Sequence, residues 1–125
     1  MLTNVADVLA GLIGAGIILI GARQLWRPQS ATGFGIPDTP TENRNFQAWL
    51  SVKSVRDIGM GLLTFILLAG ATPHLLASFM LVAAVIPLGD ALIVLRNNGP
   101  KAAAYGIHGA TAAVMVAISV LLLAA

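Results

Sequence analysis

The sequence contains no cysteine, and few of its residues are charged. Without cysteine the chain forms no disulfide bond, no cysteine-ligated iron–sulfur cluster and no thiol nucleophile. Charged residues make up 10% of the chain, against about 25% in an average soluble domain. Hydrophobic residues make up 58%, and the mean hydropathy is +0.89. This composition indicates a membrane protein rather than a soluble domain.

Several catalytic sequence motifs are also missing. The chain has no Walker phosphate-binding loop, no dinucleotide-binding glycine fingerprint, no zinc-binding HExxH helix and no nucleophile elbow. These absences argue against nucleotide chemistry and classical hydrolase chemistry. A lone histidine with no second histidine nearby makes a poor metal site. We therefore predict neither a metal nor a cofactor.

Long hydrophobic runs dominate what is present. Four runs of apolar residues are separated by short polar connections, and a helix needs about 20 such residues to cross the hydrocarbon of a bilayer. We therefore predict an all-α bundle of four transmembrane helices that forms a single membrane domain over residues 1–125. The predicted helices lie at about 4–26, 53–71, 73–96 and 100–124.

The connection between the first two helices carries further signals. Thr39-Pro40-Thr41-Glu42 has the pattern of a capping box, which predicts a helix over about 40–52. Phe46, Trp49 and Leu50 follow at helical spacing among polar residues, as in a helix that lies in the membrane interface. Pro28 to Pro37 reads as an irregular loop, and Phe34 and Ile36 favour packing of that loop against the helices.

Basic residues are absent from one side of the predicted bundle. All seven lie in or beside the first and third connections: Arg23, Arg27, Arg44, Lys53, Arg56, Arg96 and Lys101. The positive-inside rule makes these connections cytoplasmic and places both termini outside the cell membrane. Because the charges flank membrane helices and form no extended basic face, we expect no nucleic-acid partner. The expected surroundings are the lipid bilayer.

Small residues recur on the helix faces. Ala102, Gly106, Ala113 and Ala117 lie along one stripe of the last helix, and glycines are frequent in the first two helices. Such spacing allows close approach of membrane helices. The contacts could form within one chain or between copies in a homo-oligomer, and the sequence leaves both open.

Ionisable residues inside membrane helices are costly and therefore point to function. Asp57, Asp90 and His108 lie roughly 6, 9 and 10 Å along their helices from Lys53, Arg96 and Lys101, at 1.5 Å per residue. This common depth predicts that they meet in a cavity on the cytoplasmic side. Asp57, Asp90 and His108 are the predicted acid–base residues.

Three further residues are predicted to bind ligand: Arg56, Phe34 and Trp49. Arg56 points about 100° away from Asp57 around the second helix, so we expect it to pair with Asp90. That pair could equally be a structural ion pair between two helices. Likewise His108 could serve only as an interhelical hydrogen-bonding group. Phe34 or Trp49 would close the cavity on its cytoplasmic side.

Several segments together resemble a known family. They are Phe34-Gly35-Ile36-Pro37, the stretch from Lys53 to Leu62 with Arg56-Asp57, Asp90, and His108-Gly109. In these segments the chain resembles domain of unknown function 4267, among the DoxX-like small four-helix membrane proteins. The resemblance implies a four-helix membrane fold and supports the choice of Arg56, Asp57, Asp90 and His108. It implies no activity.

Three functions are compatible with these features. The leading hypothesis is a site that binds a small lipophilic molecule, or transforms it by acid–base chemistry with an arginine holding any anionic group. The second is a non-catalytic membrane subunit that packs against a partner. A small proton-coupled exporter ranks last, because no carboxylate lies near the predicted bilayer midplane. The sequence leaves open whether the protein is an enzyme.

Overall fold

The computed structural model describes all 125 residues, and every regular element is helical. Two short segments depart from α-helical geometry: a 3₁₀ helix over Pro28–Phe34 and a π-helical segment over Ala104–Gly109. The α-helices are α1 (Leu2–Trp26), α2 (Arg44–Gly70), α3 (Pro73–Ala83), α4 (Val85–Arg96), α5 (Lys101–Ala103) and α6 (Ala110–Ala124). The prediction of an all-α fold is confirmed.

Three helices are long and apolar enough to cross a membrane. They are Leu2–Trp26, the combined α3 and α4 over Pro73–Arg96, and the combined α5, π segment and α6 over Lys101–Ala124. Each has a mean hydropathy of at least 2.2 over its most apolar stretch. These lengths and compositions indicate a multi-pass membrane protein.

Helices α1 and α2 pack antiparallel along most of their length, with glycine at the contacts. A Cβ atom added at Gly61 would lie 2.7 Å from the carbonyl oxygen of Gly14 and would also meet Ile18. One added at Gly21 would lie 2.8 Å from the carbonyl oxygen of Ser54. Only glycine permits so close an approach, so these glycines form helix contacts within one chain.

The hydrophobic core lies between α1, α3 and α6, in the half of the molecule that contains the Ala71–Thr72 turn. Met80, Ile118 and Leu122 are its largest fully buried members, with Ala6 and Ala77 between them. The Ser119 hydroxyl donates a 2.9 Å hydrogen bond to the Ala77 carbonyl and joins α6 to α3. The half at the other end carries the 27–43 and 97–100 connections, and we call it the basic end.

Helix α2 begins later than the sequence predicted and has no break. The Thr39 hydroxyl donates to the Ile36 carbonyl, so it does not cap a helix. Asn43 is the cap instead, accepting a 2.9 Å bond from the Phe46 backbone N–H. The helix then continues from Arg44 to Gly70, and no separate helix over 40–52 exists in the structure.

The 27–43 connection is more regular than predicted and packs against the basic end. Pro28 starts its 3₁₀ helix, a position where the missing N–H costs nothing. Gly35 follows with φ of +107°, and a Cβ atom there would lie 2.9 Å from the Ala103 Cβ. Both the backbone conformation and the packing therefore require glycine in the Phe-Gly-Ile-Pro segment. Phe34 and Ile36 are half-buried, as expected of a docked loop.

Candidate functional site

His108 fastens the 27–43 connection to the last helix. Its ring Nε2 lies 2.7 Å from the Phe34 carbonyl oxygen, and the two rings lie 4.3 Å apart between centroids. A carbonyl oxygen only accepts, so Nε2 carries the proton of this bond. In the neutral ring Nδ1 is then an acceptor, and it has no hydrogen-bond partner in the protein. His108 lies in the π segment, a geometry often found at functional sites.

Lys53 and Asp57 form an ion pair on α2. The Lys53 Nζ donates to a carboxylate oxygen of Asp57 at 2.7 Å and to the Gln24 side-chain oxygen at 3.3 Å. It also lies 5.4 Å from the centre of the Phe34 ring, within cation–π range. The ammonium charge is therefore already compensated by groups of the chain.

A pocket of about 140 Å³ lies between the helices near the basic end, and we call it the inner pocket. Four ionisable side chains line it: Lys53, Asp57, Asp90 and His108. Most of its remaining wall is apolar. Ala83 and Met115 line the pocket and are also members of the hydrophobic core. Polar groups therefore face a largely hydrophobic space, an arrangement common in ligand sites.

Asp90 differs from the other ionisable side chains of the inner pocket, because it has no bonding partner in the protein. It lines the same pocket as His108, Lys53 and Asp57, yet the ion pair of Lys53 with Asp57 is the only one in the chain. No side-chain hydrogen bond of the chain involves its carboxylate. Asp90 therefore faces the pocket without a partner of its own.

A second pocket, the outer pocket, adjoins the first beneath the 27–43 connection. It has a volume of about 350 Å³ and an almost wholly apolar wall that includes Ile36, Phe46 and Leu50. Phe34 and Lys53 line both pockets, so they form the boundary between them. A larger, open and mostly polar recess of about 590 Å³ beside Arg23 and Arg27 contains none of the acid–base residues.

Residues 14–122 match the family described as domain of unknown function (DUF4267). This stretch is nearly the whole chain. The chain belongs to the DUF4267 family. Comparisons with curated proteins and with solved structures gave no match. The predicted family is thereby confirmed, whereas the likeness to DoxX-like proteins stays a prediction.

In this DUF4267 chain, the structure brings together four of the six predicted site residues. Phe34, Asp57, Asp90 and His108 all line the inner pocket. Their meeting follows from the antiparallel course of the helices, which enter and leave the basic end at similar depth. Whether they bind or transform a ligand stays a prediction.

Arg56 and Trp49 lie outside both pockets, and whether either residue binds a ligand stays a prediction. Arg56 is exposed and forms no ion pair with Asp90, so the predicted pairing of these two residues is wrong. Trp49 is 74% exposed and does not close the cavity. Phe46 and Leu50, on the neighbouring face of α2, line the outer pocket instead.

Lys53 lines both pockets and Gln24 lines the outer pocket, and neither was among the predicted site residues. Lys53 lies one helical turn before Asp57, a spacing at which oppositely charged side chains meet. That spacing could have identified Lys53 from the sequence alone. The basic side chain beside the pocket is therefore a lysine, where the sequence analysis expected an arginine. Gln24 gave no such signal, because its contact with Lys53 depends on how α1 packs on α2.

Proposed function

We propose that this protein binds a small lipophilic molecule in the inner pocket, with the polar part of the ligand at Asp57, Asp90 and His108. The observation that carries the proposal is that the Asp90 carboxylate lines the pocket without an ion-pair or hydrogen-bond partner in the protein. A carboxylate without a protein partner is costly beside apolar walls in a membrane helix, and such residues usually serve function.

The proposal includes α2 as a fourth membrane span. By composition α2 is less apolar than the three spanning helices, since Lys53, Arg56 and Asp57 interrupt it. It nevertheless packs along α1 through Gly21, Gly14 and Gly61. Its apolar half, residues 58–70, then lies beside a helix that crosses the bilayer, and its charged half lies at the basic end.

The walls of the inner pocket indicate that the ligand comes from the membrane. Ile86 and Ile107 line the pocket, yet they are 48% and 50% exposed. Helices α2 and α4 flank the pocket but scarcely touch each other. In a bilayer such an apolar opening faces hydrocarbon, which suits a lipophilic ligand.

A photoreactive alkyl diazirine of about ten carbons tests the site in lipid nanodiscs. Met115 is 3% exposed and lines the pocket, so we expect labelling there in addition to the lipid-facing surface. Thr111→Phe should fill the pocket and remove this labelling. Val114→Phe is the matched control, because Val114 lies on the same helix outside the pocket and is 38% exposed.

Two results would contradict the proposal. Met115 would either stay unlabelled in the unmodified protein, or be labelled equally in the Thr111→Phe and Val114→Phe variants. Peptide mass spectrometry of the labelled protein gives both readouts.

The alternative function is a non-catalytic subunit whose polar cluster only holds the fold together. The His108 contact with Phe34 and the Lys53–Asp57 pair favour it, because both are structural bonds between segments or turns. It gives no role to Asp90, which makes neither kind of bond. For this reason we rank ligand binding first.

A further inference from the structure

We infer that the ligand of the inner pocket carries a protonated amine on an apolar chain, and that the amine binds between Asp90 and His108. This inference rests on the proposed function and specifies its ligand class. Three properties of the pocket support it: the charge of its wall, the hydrogen-bonding state of its polar atoms and its size.

With His108 counted as neutral, the wall of the inner pocket holds more negative than positive charge. Two carboxylates, Asp57 and Asp90, face one ammonium, that of Lys53. Arg56, the other basic residue in this part of α2, lies on the exposed surface and does not line the pocket. Since Lys53 is paired with Asp57, the charge that remains uncompensated is that of Asp90. A cationic ligand would neutralise it.

The polar atoms of Asp90 and His108 that are free in the pocket are acceptors. The carboxylate of Asp90 accepts only, and Nδ1 of neutral His108 also accepts, because Nε2 donates to the Phe34 carbonyl. No ion pair joins His108 to Asp90, so they do not satisfy each other. An ammonium group supplies up to three donors, and a carboxylate or phosphate supplies none. An anionic group between Asp90 and His108 would therefore be disfavoured by both charge and hydrogen bonding.

The size of the inner pocket limits how much of the ligand it holds. Its 140 Å³ is similar to the roughly 150 Å³ cavity that accommodates a benzene molecule. An amine and the first few carbons of a chain would fill it. The rest of the chain would leave past Ile86 and Ile107, whose exposed surfaces extend the apolar wall into the bilayer.

Competition against the diazirine label distinguishes the ligand classes. Decylamine, decanol and decanoate share one chain and differ in their head groups. We expect decylamine to suppress labelling at Met115 at a concentration on the order of tenfold lower than either other compound, as a charge-assisted hydrogen bond would give. In Asp90→Asn this advantage should disappear. Asp7→Asn, a carboxylate outside the pocket, should retain it.

The outcomes separate this inference from the proposed function. If decanoate or decanol competes as well as decylamine in the unmodified protein, the amine inference is wrong, whereas pocket labelling that Thr111→Phe removes still supports a ligand site. If Asp90→Asn keeps the decylamine advantage, the assignment to Asp90 is wrong. Asp90→Ser should also lose the advantage and provides a second variant should Asp90→Asn misfold. Absence of pocket labelling would overturn both proposals.

Discussion

At the scale of single residues, Lys53 and Arg56 differ in what they contact although they lie less than one helical turn apart. Lys53→Met removes the ammonium that Asp57 binds at 2.7 Å and leaves that carboxylate without its partner. Arg56→Gln changes an exposed side chain with no ion pair, and such substitutions usually alter the free energy of unfolding by less than about 0.5 kcal/mol. We expect the larger loss of stability for Lys53→Met in chemical unfolding from mixed micelles.

A double variant checks the reason for that difference. Lys53→Met with Asp57→Asn removes both charges, so it should recover part of the stability that Lys53→Met loses. Equal destabilisation by Arg56→Gln and Lys53→Met would contradict the observed pairing.

His108 gives a second prediction at the residue scale. His108→Ala removes the donor to the Phe34 carbonyl and the ring that packs on Phe34. The free energy of unfolding should fall by about 1–3 kcal/mol, the usual cost of leaving a buried polar group unpaired. Amide hydrogen exchange should rise in residues 28–43.

His74→Ala is the matched control for this measurement. His74 is exposed near the opposite end, and its side chain makes no hydrogen bond. Faster exchange of residues 28–43 in His74→Ala, or unchanged exchange in His108→Ala, would show that His108 does not hold the connection.

At the scale of elements, the contact between α1 and α2 depends on glycine at particular positions. Gly61→Ala would force a Cβ atom against Ile18 and the Gly14 carbonyl, and overpacking of this kind costs about 1–3 kcal/mol. Gly59→Ala meets nothing within 4 Å, so it should be neutral or stabilising, as alanine favours a helix interior. Unfolding of both variants in the same micelles measures the difference. A similar loss in both would argue against close helix packing at Gly61.

The sequence predicted depth along the helices better than rotation about them. The rise per residue placed Asp57, Asp90 and His108 at one level, and they line one pocket. The sequence did not fix which side of α2 faces α4, because that depends on the packing of α2 on α1 through Gly14, Gly21 and Gly61. For this reason the sequence could not show that Arg56 and Trp49 lie outside the two pockets.

The sequence also predicted some helix boundaries correctly and others wrongly. Helix α3 starts at Pro73, as predicted from the sequence. Thr72 caps it by accepting a hydrogen bond from the Leu75 backbone N–H, so this boundary is determined by residues close together in the chain. The capping-box pattern at Thr39 was a false signal, because its hydroxyl bonds backward to Ile36. The π segment around His108 has no sequence pattern of its own, so the sequence analysis treated the last helix as regular.

At the scale of the whole molecule, the distribution of basic residues makes a testable prediction of topology. All seven lie towards the basic end, so we expect that end to face the cytoplasm and both termini to lie outside. A reporter that is active only outside the cytoplasm should be active when it is fused after Ala125. A reporter that is active only in the cytoplasm should be active when it is inserted after Asp38. A cytoplasmic signal from the fusion after Ala125 would contradict this orientation.

The π segment has a consequence for how this chain tolerates a change in length. A π-helical turn contains one residue more than an α-helical turn would, and it lies between Ala103, which packs on Gly35, and the regular helix α6. Deleting one residue between Ala104 and Gly106 would let the helix become regular with little change in the orientation of Ala103 relative to α6, because the wide π turn already absorbs the extra residue. Ala103 and His108 would then still face the same connection, so a one-residue deletion here should be better tolerated than one within α6, where it would rotate the preceding residues by about 100°.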